Sequence, residues 1–182
     1  MTNRQFVKNL DDYFEMINDA FKDPLDIKWA EKGNKIIGMF IVNDNIYQIR
    51  CSDKGNDFWT CKFFYYDKEK NVMDPNLTGF ERDKFRVLPT VKSGITYLIE
   101  TKNPTCIIYA ALDDSEARKK LYSSTSKEIS KSHNLEYLTQ GIGEFGEKQI
   151  FVLYKKNTDS KLLYRNIQSV VNDVISNNVE NI

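Results

Sequence analysis

Residues 85 to 122 constrain the fold of this chain more than any other segment. At their centre, Thr105 to Leu112 is a continuous apolar run with no polar alternation. A strand exposed on one face alternates with a period of two, so an unbroken run suits a strand covered on both faces. Before it, Val91, Ile95, Leu98 and Ile99 share one side of a helix from Val91 to Lys102, which Asn103-Pro104 stops. After it, Asp113 with Glu116 three positions on forms a capping box for a second helix. That helix carries Ala117, Leu121, Thr125 and Ile129. The segment reads as strand end, helix, buried strand, helix, with Lys84 to Val91 as the loop into the first helix.

Upstream, the pattern has a shorter period. Ile27 to Ala30, Lys35 to Val42, Ile46 to Ser52 and Phe58 to Tyr66 read as strands. They are separated by Glu31-Lys32-Gly33-Asn34, Asn43-Asp44-Asn45 and a loop from Asp53 to Asp57. Strands divided by a few turn-type residues form an antiparallel meander. Asp67 to Glu81 is a polar loop. Downstream, Leu135 to Thr139 and Lys148 to Lys155 form a final hairpin. Two helices bracket the whole. Phe6, Leu10, Tyr13, Ile17 and Phe21 lie on one face of a helix over residues 4 to 22, ended by Asp23-Pro24. Leu163, Ile167, Val170 and Val174 mark an amphipathic helix over 161 to 176, after a polar linker at 157 to 160. The expected fold is α+β: one mixed, mostly antiparallel sheet flanked by helices.

Charge and composition exclude several function classes. Lys plus Arg equals 26 and Asp plus Glu equals 26, so no basic excess exists to neutralise a nucleic-acid backbone. The aromatic run Phe58, Trp59, Phe63, Phe64, Tyr65 and Tyr66 has only Lys62 beside it, whereas base-stacking platforms come with basic residues. Core packing on one face and partner contact on the other is the better reading. No stretch approaches the roughly 18 apolar residues of a membrane span. The N-terminus carries acids where a signal peptide has its apolar core, so the protein is expected to stay in the cytoplasm where it is made. Cys51, Cys61 and Cys106 lack C-x-x-C spacing and sit in or beside strands, as small buried thiols do.

The catalytic motifs are thin. Gly141-Ile142-Gly143-Glu144-Phe145-Gly146 fits a dinucleotide fingerprint by letter, but a strand follows it instead of a helix, so it reads as a hairpin loop. His133 is the one histidine, at a polar helix end that suits a solvated residue. With one histidine, paired-histidine metal sites are excluded. Asp11-Asp12 reads as a solvated pair and Asp113-Asp114 as helix capping.

The element order over residues 25 to 155 resembles the GNAT-type N-acetyltransferase fold. Ala117-Arg118-Lys119-Lys120-Leu121-Tyr122 looks like the alanine-led Leu-Tyr signature on the last core helix of that family. The resemblance implies that Tyr122 would protonate the departing coenzyme A thiolate. The family holds the coenzyme's pyrophosphate on a Gln/Arg-x-x-Gly-x-Gly/Ala loop, where bare amides point at phosphate. The corresponding stretch here, Lys84 to Val91, has no glycine, and Pro89 removes an amide. Arg86 and the Thr90 hydroxyl are what remains for phosphate there.

The chain is more similar to a bacteriophage protein family with a GNAT-like fold that lacks the usual coenzyme A loop. Val87-Leu88-Pro89-Thr90-Val91, the later Ser115 to Tyr122 stretch and the upstream Phe58-Trp59 carry that similarity. The composition, rich in Lys, Asn, Ile, Asp and Tyr, is of the kind low-GC genomes encode, many phages among them.

The resulting division is an N-terminal helix (1–24), a GNAT-like domain (25–156), and a linker with a C-terminal amphipathic helix (157–182). The expected function is a phage-encoded, non-enzymatic protein-binding domain that contacts a host or host-defence protein in the host cytoplasm. The alternatives are a virion structural or accessory subunit, and an active acyl-CoA-dependent N-acetyltransferase using Tyr122, Arg86 and Thr90. No cofactor or metal is expected, and neither nucleic acid nor membrane is a partner. Leu163, Ile167, Val170 and Val174 either cap the domain's core or form a docking stripe for a partner or a second copy.

Overall fold

The computed structural model describes residues 24–74, 80–111, 116–143, 146 and 148–176. The expected helix over 4 to 22 and both acidic pairs, Asp11-Asp12 and Asp113-Asp114, lie outside the described residues. Strands β1 (Lys28–Lys32), β2 (Lys35–Val42), β3 (Asn45–Asp53) and β4 (Phe58–Asp67) form the antiparallel meander. Their turns follow local chemistry. Gly33 has φ 60°, and Asn43 and Asp44 have φ 46° and 65°. Two consecutive left-handed residues make a tight hairpin turn whose twist matches the flanking strands, and Asn and Asp tolerate that region best after glycine.

A short strand, β5 (Val72–Asp74), pairs with the end of β4 inside the expected polar loop. Helix α1 (Phe80–Lys102), strand β6 (Cys106–Ala111), helix α2 (Glu116–Ser132), hairpin β7 (Glu136–Ile142) with β8 (Lys148–Tyr154), and helix α3 (Ser160–Ile175) follow. Among the described residues the sheet has eight strands, ordered β1-β2-β3-β4-β6-β8-β7, with β5 beside β4. Every pairing is antiparallel except that of β4 with β6. The architecture is α+β, as the sequence leads one to expect.

One expected boundary is wrong. Lys84 to Val91 is neither a strand end nor a loop; it lies inside α1, which runs from Phe80 through Pro89. A proline inside a helix costs about 3 kcal/mol, by losing an amide donor and crowding the carbonyl one turn back. Against that, Val87, Val91, Ile95 and Leu98 are all buried on the sheet. Burial is worth roughly 1.5–3 kcal/mol per large apolar side chain, as an upper estimate. Their sum exceeds the proline cost, so tertiary packing overrides the local preference.

Alternation along the central strands sorts side chains into two cores. Ile107, Tyr109, Phe151 and Leu153 face α1 and α2, together with Ile36, Ile49, Cys61, Tyr122 and Ile129. Cys106, Ile108, Ile150 and Val152 face the other way, with Phe58 and the α3 residues Ile167, Val170, Val171 and Val174. The strand β6 is thus covered on both sides, which explains its unbroken apolar run.

Candidate functional site

The sheet forks at its parallel join. Strands β4 and β6 pair only from Phe58 with Cys106 to Cys61 with Tyr109. Beyond that point, the same edge of β4 pairs with β5 instead, at Tyr65 to Asp74 through Asp67 to Val72. On the α1/α2 face beside this divergence, aromatic rings from β4, β6, β8 and α2 pack together. Tyr122 packs against Phe63 and Phe151 with centroids 5.8 and 5.7 Å away, and Tyr109 lies 5.5 Å from Phe151. Most of these contacts are edge-on or tilted, the arrangement that aromatic quadrupoles favour.

Tyr122 is 3% exposed. Beneath it, the Ser126 hydroxyl donates to the Tyr122 carbonyl at 2.6 Å. A serine hydroxyl has one proton, so the Tyr109 hydroxyl is the donor in its bond to Ser126 Oγ. Burial pushes the Tyr109 phenol well above the usual tyrosine range. Both tyrosines belong to the core, Tyr109 on β6 and Tyr122 on α2, and the buried face of α2 differs from the expected one. Lys119, Tyr122, Ser126 and Ile129 are buried, while Leu121 and Thr125 are only half-buried. The stripe is harder to read in the sequence because two of its members are polar. Lys119 is satisfied by Glu116 Oε1 at 3.1 Å and the Gly146 carbonyl at 2.9 Å, which ties α2 to the β7–β8 loop.

Thr90 is fully buried, and its hydroxyl is engaged twice. It donates to the Arg86 carbonyl at 2.8 Å and accepts from the Leu25 amide at 3.0 Å. Arg86 is exposed, one turn earlier on the helix. The two residues therefore sit mid-helix and do not converge on a pocket. Gly141 lies opposite Gln149 near the end of the β7–β8 ladder. His133 lies in the turn just after α2.

The C-terminal stripe is taken up by the fold. Ile167, Val170 and Val174 are 7%, 2% and 0% exposed against the face of the sheet opposite α1 and α2, and Leu163 packs at their margin. Asp159 caps α3, its carboxylate accepting from the Leu162 amide at 2.8 Å. Between α3 and the β3–β4 corner lies a hollow of about 240 Å³ lined by Lys54, Phe58, Thr60, Asn166, Ser169, Val170 and Asp173. The Thr60 hydroxyl, buried at its edge, has no hydrogen-bond partner among the described residues.

Besides Val72 on β5 and Tyr164 and Ile175 on α3, the large apolar side chains exposed among the described residues lie on β2. Met39 and Ile41 on β2 are 40% and 62% exposed, on the strand face opposite the buried Phe40 and Val42. Ile37 continues this row and Ile46 faces Ile41 across the ladder. Next to it on the same face, the Arg50 guanidinium and the Lys62 ammonium both lie over the Phe64 ring, at 4.6 and 5.2 Å from its centroid. Among the described residues there is no cluster of three potential metal ligands, and no helix is long and apolar enough to cross a membrane. No protein-family model matches the chain, and neither does any curated protein or solved structure.

Proposed function

We propose that this chain is a phage-encoded GNAT-like domain, extended by a helix at each end, that acts by direct contact with a host or host-defence protein and not by acetyl transfer. The scaffold reading is supported by a meander joined through one parallel pair to a β-α-β hairpin unit. The observation that carries the functional reading is the placement of the hydroxyls that acetyl transfer would need. A general acid must come within hydrogen-bond reach of the group it protonates. Tyr122 is 3% exposed and walled in by Phe63, Tyr109 and Phe151. Thr90 spends both hydroxyl functions on Leu25 and Arg86. The Met39–Ile41 row is the surface offered to a partner, because its side chains are apolar and uncovered.

The test uses the full chain, tagged, expressed in infected cells. Affinity capture with in-cell cross-linking recovers a host protein in stoichiometric amount, and Ile41→Asp abolishes its recovery while leaving the melting curve intact. Mass spectrometry of purified particles finds no fixed copy number of the chain; a fixed copy number assigns it to the virion instead. Calorimetry with millimolar acetyl-coenzyme A gives no binding heat. Clear binding, together with acetyl transfer that Tyr122→Phe eliminates, would overturn the proposal.

A further inference from the structure

Cys51 on β3 and Cys61 on β4 stand directly opposite each other in the antiparallel ladder. Their Sγ atoms are 2.9 Å apart. A disulfide needs about 2.05 Å between sulfurs and a Cβ separation of about 3.5–4.5 Å. Directly opposed residues in an antiparallel pair have Cβ atoms about 4.5–5.5 Å apart, which meets that range at its short end. Closing the bond asks for less than about 1 Å of sulfur movement. Both thiols are buried, at 0% and 1% exposure, between α1 and the sheet. The third thiol, Cys106, is buried in the other core, on the opposite face of the sheet, and cannot reach either one.

We propose that Cys51 and Cys61 are an oxidation site, forming a reversible cross-strand disulfide with hydrogen peroxide as the oxidant and thereby fixing β3 to β4 at the centre of the meander. One sulfur attacks a peroxide oxygen, giving a sulfenic acid and releasing water. The second sulfur then displaces hydroxide from the sulfenic sulfur, which leaves as a second water with the remaining thiol proton. Two thiols and one peroxide thus become one disulfide and two waters. A dithiol reductant restores both thiols by exchange. The pair is not a fast surface sensor. Burial, and then the adjacent Cys51, hold the Cys61 thiol well above the ordinary cysteine range. Only the thiolate attacks, so the reaction runs through openings that expose the hairpin.

The test is a non-reducing peptide map of the full-length chain. The protein is exposed to hydrogen peroxide in sub-denaturing urea, quenched with iodoacetamide under denaturing conditions, and digested. The expected product has lost ~2 Da, the mass of two hydrogens. It contains the Cys51 and Cys61 peptides joined, carries one alkylated cysteine at Cys106, and returns to three alkylated cysteines after dithiothreitol. Raising the urea concentration within the folded range speeds its formation. Cys106→Ser gives the same product, and the cross-linked chain melts at a higher temperature than the reduced one. Three alkylated cysteines after oxidation, a link that involves Cys106, or sulfinic acid at Cys51 or Cys61 without a link would each overturn the proposal. The wild-type map decides alone if Cys61→Ser fails to fold.

Discussion

Trp29 shows how single residues set the seam between sheet and helix. Its ring stacks on Tyr97 of α1, with centroids 4.3 Å apart and planes 14° from parallel. It sits opposite Gly38 in the β1–β2 ladder. A Cβ at Gly38 would lie 2.7 Å from Trp29 Cζ3 and 2.7 Å from Ile27 Cγ2. The indole is rigid and backed by Tyr97, so it cannot swing aside. Gly38→Ala is therefore expected to destabilise the fold by about 1–3 kcal/mol, the range for overpacking a filled core. A lowered urea midpoint with unchanged slope measures this. In the sequence, a mid-strand glycine signals close backbone or side-chain approach in general terms. Nothing in the letters names Trp29 as the neighbour. The two facing cysteines were likewise legible as buried thiols but not as a pair, because their opposition depends on the β3–β4 register.

At the scale of elements, α1 departs furthest from its local sequence. The apolar spacing of Val91, Ile95, Leu98 and Ile99 starts the helix at Val91, yet the helix begins at Phe80 and runs through Pro89. Substituting Pro89→Ala restores an amide donor toward the carbonyl one turn back and removes the ring's steric conflict. The expected result is a gain of up to about 3 kcal/mol in unfolding free energy, read from urea denaturation. A loss would mean that the proline is needed to hold Thr90 against Leu25. The strands β1 to β4 and the β7–β8 hairpin were legible to within a few residues, since turn chemistry and alternation are local signals. The short β5 was not, because three residues in a polar loop carry no periodicity. Helix α3 was legible as an amphipathic helix, whereas its destination was open. It buries Ile167, Val170 and Val174 on the sheet, so its stripe serves the chain's own second core.

For the whole molecule, the buried titrating groups set an alkaline limit on stability. Burial raises Cys106 from its ordinary 9.0 to about 12 and raises Cys61 and Tyr109 as well. Each group is neutral when protonated, so folded and unfolded chains bind the same protons below the unfolded pKa values. Above about pH 9 the unfolded chain loses cysteine protons that the folded chain keeps. Each such group then lowers stability by up to about 1.4 kcal/mol per pH unit until its folded pKa is passed. Melting temperatures are expected to be unaffected by these groups up to about pH 9 and to fall above it. Cys106→Ala should shallow that decline. A profile as steep in the variant as in the wild type would exclude Cys106 as a contributor.

The sequence by itself determined the α+β class, the doubly covered strand within Thr105 to Leu112, the meander and the amphipathic terminal helix. These follow from periodicity and turn residues, which act within a few positions along the chain. Only the tertiary structure decided where α1 starts, which α2 face is buried, that Tyr122 and Thr90 belong to the core, and that Cys51 meets Cys61. Each of those depends on contacts between residues distant in sequence. There the free energy of burial is large enough to override a proline, to draw a lysine or a serine inward, and to set which side chains face one another.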